Sequence, residues 1–190
     1  MNSQHSNLNT NKGFTLLELL VVIVILGILV VIGLRSFMSS QIKARDSRRK
    51  GELEQLSKSL EMFWADQGYY PVGNDEGKIM MQDSEGNWTT FEWGEAFYDV
   101  NNPSTIYMTK LPGSGTISCY YQAFELQAGT FVPGSYPTAT QARAYQIYTS
   151  LENPEDSSLL PASTGLNCGA SICNYVVLSV NLPESSIITE

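Results

Sequence analysis

Histidine is nearly missing from this chain of 190 residues: His5 stands alone, within the first dozen positions. No GxxxxGK[ST], HExxH or paired CxxC pattern occurs, so the sequence offers no phosphate loop, zinc-peptidase helix or zinc ribbon. Cysteine is sparse as well, with Cys119, Cys168 and Cys173 all in the distal half. They allow one disulfide and a leftover thiol in an oxidising compartment, or three reduced buried thiols; the sequence does not fix the pairing, although Cys168 and Cys173 are the closest pair. Positive charge is the last scarcity. After residue 60 only Lys78, Lys110 and Arg143 are basic while acids recur, within a formal net charge of −8. Such a surface argues against nucleic acid as a partner of this part.

Bases crowd instead between Arg35 and Lys58, with Lys43, Arg45, Arg48, Arg49 and Lys50 among them. A basic stretch before an acidic one suits subunits that stack one against the other, and contact of the bases with nucleic acid is the weaker reading. Ahead of them runs one long apolar segment, GFTLLELLVVIVILGILVVIG, from Gly13 to Gly33. Phe14 to Leu34, as a helix rising ~1.5 Å per residue, would span ~31 Å, about one hydrocarbon core. A secretory signal, a plain anchor and something more specialised all fit. No small-x-small cleavage site follows the run, which tells against an ordinary signal. Glu18 tells against a plain anchor, because an acid at membrane depth is costly and points to function. Counting bases on either side would put the distal part in the cytoplasm.

The residues Lys12, Gly13, Phe14, Thr15, Leu16, Leu17 and Glu18, fused to such a run, resemble the class III signal of type IV pilins and type II secretion pseudopilins. The resemblance implies cleavage between Gly13 and Phe14 by a prepilin peptidase, followed by N-methylation of Phe14. It implies a single-pass precursor in the cytoplasmic membrane with its amino terminus inside and its head outside, against the simple charge count. The cut creates an ammonium on Phe14, and Glu18 would pair with the Phe14 amine of a neighbouring subunit. The implied partners are other copies and related pilins, the peptidase, an assembly platform with its ATPase machinery, and the membrane. The implied role is structural, not enzymatic: a subunit of a pilus-like extracellular or envelope-spanning filament for adhesion, motility or uptake. A type II secretion pseudopilin and a membrane-tethered module that never polymerises are the alternatives. Where many filament-forming relatives have a proline this chain has Arg35, so any local melting would begin at Gly27 or Gly33; Arg35 itself would snorkel at the outer interface.

Three segments follow: a leader 1–13; a helix 14–67, transmembrane over 14–34 and amphipathic over 35–67; and a head 68–190. The fold class is α+β and pilin-like, a long N-terminal helix packed on a small antiparallel β-sheet head. Leu53, Leu56, Leu60, Phe63 and Trp64 form one apolar stripe, and Gly68 with Pro71 ends the helix. The spacing predicts a hairpin around Trp88, a helical turn over 94–100, and three strands. In these, Ile117, Cys119, Tyr121 and Ala123 share a face, as do Tyr145, Ile147, Thr149 and Leu151, and Val176, Leu178, Val180 and Leu182. Gly129, Pro133, Gly134 and Pro137 mark the loop between the first two strands. YQIYTSLENPED loosely resembles the strand and turn of type II major pseudopilins, which often bind calcium nearby. Asn153, Glu155 and Asp156 offer oxygens there, though without the spacing of a calcium loop, so an ordinary acidic turn is the reading preferred over a structural calcium and no cofactor is expected.

Overall fold

The computed structural model describes residues 13–113, 119–134, 141–160 and 164–183, without the side chains at 32, 33, 35 and 36. The expectations for Arg35, Ile117 and Pro137 fall outside what is described. The chain divides into two compact units, Met1–Gln41 and Ile42–Glu190.

One helix, α1 (Leu16–Gln67), passes unbroken through Gly27, Gly33 and Gly51. In the first unit its apolar side chains lie open, from 85% exposed at Leu16 to 46% at Val21. Among the described residues no helix is long and apolar enough to cross a membrane. The uninterrupted described run, 16–31, rises ~24 Å against ~30 Å of hydrocarbon.

The second unit is built on the carboxyl half of α1. Leu53, Leu56, Leu60 and Phe63 are each at most 1% exposed and form the floor of the main core. The helix ends at Gly68, which takes φ +77° and donates its N–H to the Trp64 carbonyl at 2.8 Å. A left-handed glycine after the last turn is the usual way to close a helix, because a side chain there would be strained. Arg143 finishes the cap: it donates to the Gly68 carbonyl at 3.1 Å and lies over the Trp64 ring.

The strands in chain order are β1 (Val72–Gly73), β2 (Ile79–Gln82), β3 (Trp88–Phe91), β4 (Phe97–Tyr98), β5 (Ile106–Met108) and β6 (Tyr120–Gln127). They continue with β7 (Thr130–Gly134), β8 (Ala144–Thr149), β9 (Asn167–Cys168), β10 (Ser171–Ile172) and β11 (Tyr175–Leu178). The principal sheet is antiparallel in the order β11-β8-β6-β7; β1-β2-β3 form a second sheet, and β4-β5 and β9-β10 are pairs. Strand β8 is buried at all six positions. Tyr145 and Ile147 point to the helix-side core, while Ala144 and Tyr148 enter two satellite clusters on the other face.

Three expectations are corrected. The segment 94–100 is not a helical turn: Phe97 pairs with Met108 in β4–β5 and sits fully buried against Phe91 and Tyr107. The loop between the first two long strands contains a strand of its own, since Ala128 and Gly129, both at positive φ, make a two-residue turn that returns the chain as β7. Pro133 is tolerated there because β7 is an edge strand. Val176, Leu178 and Leu182 do share a face, the one opposite the helix-side core, which Tyr175 and Val177 meet. Val180 is 91% exposed, because the strand stops at Leu178 and a turn from Ser179 to Leu182 breaks the alternation.

Candidate functional site

The first unit presents Gly13 and Phe14 ahead of α1, with Phe14 84% exposed. Thr15 is the cap of the helix. Its N–H and its hydroxyl both donate to Glu18 Oε2, at 2.8 and 2.7 Å, and Glu18 N–H donates back to Thr15 Oγ1 at 3.2 Å. This is a capping box, which satisfies two otherwise orphaned donors at a helix start. The signature is legible as Thr-x-x-Glu before an apolar run, and Thr15 is the residue that reasoning about Glu18 alone overlooks. Here Glu18 is held within one turn of Phe14 and its charge is engaged by its own chain. Gly13, Phe14 and Glu18 are thus neighbours on an accessible helix start bordered by exposed leucines.

The second unit gathers the basic stretch and the acidic loop. Asp46, 2% exposed, receives the backbone N–H of Glu152 (2.9 Å) and of Asn153 (2.8 Å), and a guanidinium N–H of Arg49 (2.8 Å). Glu152 in turn accepts from Arg45 at 3.1 Å and from Arg49. Those hydrogen bonds, Arg45's first, hold the Glu152 carboxyl at about 2. Lys50 reaches Asp156, whose carboxyl also lies below its usual range because of that ammonium. Arg45, Arg49 and Lys50 thus each pair with an acid of their own unit. No sequence signal marks Asp46, which is one acid among four bases and acquires its role from a loop 106 residues away.

The remaining candidates separate. Asn153, Glu155 and Asp156 share a turn in which Asn153 Oδ1 accepts the Glu155 N–H and Asp156 is occupied by Lys50. Among the described residues no group of three or more His, Cys, Asp or Glu could hold a metal ion. Cys168 and Cys173 are joined by a disulfide that ties β9 to the residue following β10 and packs on Tyr148. Cys119 is a free thiol in the helix-side core, where burial pushes it up to about 12. The abundant aromatic rings are mostly core: Phe63, Phe97 and Tyr107 contact one another, and Tyr145 meets both Tyr70 and Tyr121.

Residues 8–34 match the prokaryotic N-terminal methylation motif. The chain is 31% identical over 87 residues to the type II secretion system core protein G of Pseudomonas aeruginosa, covering 46% of this chain and 61% of that one. It is 36% identical over 63 residues to the protein of the same name in Escherichia coli, or 33% of this chain and 43% of that one. To the type IV major pilin protein PilA of Myxococcus xanthus it is 35% identical over 60 residues, or 32% and 27%. The chain thus spans less than two thirds of the length of these relatives. No solved structure matches it.

Proposed function

We propose that this chain, which carries the prepilin motif of the type IV pilin and pseudopilin family, is a structural subunit that polymerises through its amino-terminal helix into a pilus-like filament. Residues 1–13 are a leader removed by a prepilin peptidase, 14–67 the helix and 68–190 the head. The segment 14–34 holds the precursor in the membrane with its head outside. Cleavage frees the Phe14 amine, and Glu18 exchanges its contact with Thr15 for that amine on a neighbouring copy. An acid left unpaired at mid-bilayer costs about 2.5–3.5 kcal/mol on insertion scales. Pairing removes that cost and sets the register between subunits.

The observation that carries the reading is the juxtaposition of Gly13, Phe14 and Glu18 at the start of a helix whose apolar side chains from Leu16 to Val31 are exposed. A second reading, a pseudopilin of a type II secretion system, is supported by the names of the relatives from Pseudomonas and Escherichia. The test is mass spectrometry of the amino-terminal peptide of protein sheared from producing cells, with Glu18→Ala alongside. A methylated chain starting at Phe14, with the variant inserted but absent from the sheared fraction, is the expected result. A chain starting at residue 1 or 2, found only in membranes and indifferent to the variant, would refute polymerisation in favour of a tethered module. Loss of protein export on deleting the gene, without surface filaments, would favour the pseudopilin.

A further inference from the structure

Loop 151–160 directs several oxygens at a single cation, and that cation belongs to the chain itself. Lys50 Nζ donates to both carboxylate oxygens of Asp156, at 2.8 Å each, and to Ser158 Oγ at 2.6 Å. It also stands 5.3 Å from the centroid of the Tyr175 ring. An ammonium has three donors, and here all three end on loop oxygens while the charge meets an aromatic face. The loop completes the arrangement from its own side. Asp156 accepts the Ser158 N–H at 2.9 Å, and Asp46 fixes the Glu152 and Asn153 amides. Beside it lies an open cleft of about 370 Å³, walled by Lys43, Ser47 and Lys50 on the helix and by Asn153, Glu155 and Ser157 on the loop.

We propose that the Lys50 ammonium is the built-in structural cation of this loop, standing where a divalent metal would otherwise organise it, so that the loop keeps its conformation with no metal bound. A calcium ion takes six to eight oxygens, and Asp156 and Asn153 already have theirs committed to Lys50 and to the loop backbone. Glu155 is left as an exposed carboxylate at the cleft. A divalent ion placed beside Asp156 would also face the lysine's positive charge at close range, which is a repulsive element against metals as well as an attractive one for the loop.

The test uses the full-length chain in detergent, followed by amide hydrogen exchange and thermal unfolding, in EDTA and in millimolar calcium chloride. Wild type should show the same exchange over 155–160 and the same melting temperature in both. Lys50→Met should speed exchange in that loop by about tenfold in EDTA while β6 and β8 stay protected. Lys50→Arg should fall between the two. Slower loop exchange or a higher melting temperature for wild type in calcium would overturn the proposal, because the loop would then take a metal. So would a Lys50→Met loop as protected as wild type in EDTA. If Lys50→Met does not fold, the wild-type metal comparison and Lys50→Arg still decide it.

Discussion

Replacing Asp46 by asparagine removes one charge and almost no volume, and its effect can be worked from the contacts. One carboxylate oxygen receives the Glu152 N–H and an Arg49 N–H, and the other receives the Asn153 N–H. The amide offers one acceptor and one NH₂, so at least one loop N–H is left facing a donor. A buried group in that position costs about 1–3 kcal/mol. Arg49 loses one of its two carboxylates but keeps Glu152 and is itself 17% exposed, so its penalty stays below the ~3–5 kcal/mol of a fully buried broken pair. The sum is about 2–4 kcal/mol. At ~2–4 °C per kcal/mol for a unit of this size, Asp46→Asn should melt roughly 4–16 °C below wild type. Near-ultraviolet circular dichroism of the full-length chain in detergent reads the transition through the buried tyrosines. Glu155→Gln, an exposed neighbour on the same turn, serves as the control and should stay within ~0.5 kcal/mol of wild type. Asp46→Asn melting no lower than that control would show that the loop is held by something other than Asp46.

Two further outcomes follow from the same unit. Glu152 and Asp156 have folded values below their ordinary ones, so the stability they add is fully present above about 4.5 and fades as pH falls toward about 2. Hydrogen exchange over 151–158, corrected for its intrinsic rate, should accelerate across that interval while β8 remains protected, and an unchanged loop would contradict the ion-pair account. Replacing both Cys168 and Cys173 by serine opens a loop of sequence separation 5, worth about 2 kcal/mol by chain entropy, and should lower the melting temperature by roughly 4–8 °C. An unshifted melt would mean that β9–β10 closes as well without its bond. Cys119 cannot substitute for either partner, because it is buried in the helix-side core while the disulfide lies among the residues on the other face of β8.

What could be read in advance was what rests on short-range pattern. The stripe from Leu53 to Trp64 follows helical spacing; its first four members are buried and Trp64 is half-buried against the same core. The helix stop at Gly68 and the helix-side faces of β6 and β8 follow from local residue chemistry in the same way. Failures came where a partner distant in sequence decides. Which face of β11 meets the helix is left open by the sequence, because it depends on how β11 registers on β8, which pairs Val177 with Ile147 and carries no local mark. The 94–100 segment is drawn into β4–β5 by the rings of Phe91 and Tyr107. Ala128 is the plainest case. Nothing about an alanine announces a left-handed turn, and it takes φ 49° because β6 and β7 must meet through two residues.

The same contrast separates the two units chemically. In the second, the strong polar groups of the helix find answers inside the unit: Arg45 and Arg49 on Glu152, Lys50 on Asp156, and Glu61 between Tyr70 and Tyr145 at 2.8 and 3.1 Å. In the first, among the described residues, the large apolar side chains from Leu16 to Val31 are all at least 46% exposed. Leaving a leucine or isoleucine side chain in water instead of burying it forgoes about 1.5–3 kcal/mol, so a run of this length cannot stand open in water. Lipid or other helices must cover it. Its one acid, Glu18, forms a contact with Thr15 that is local and fully exposed, and so can be exchanged without disturbing a core. The second unit thus satisfies its charges within itself, whereas the first begins with an exchangeable carboxylate on an apolar run that nothing in its own unit covers.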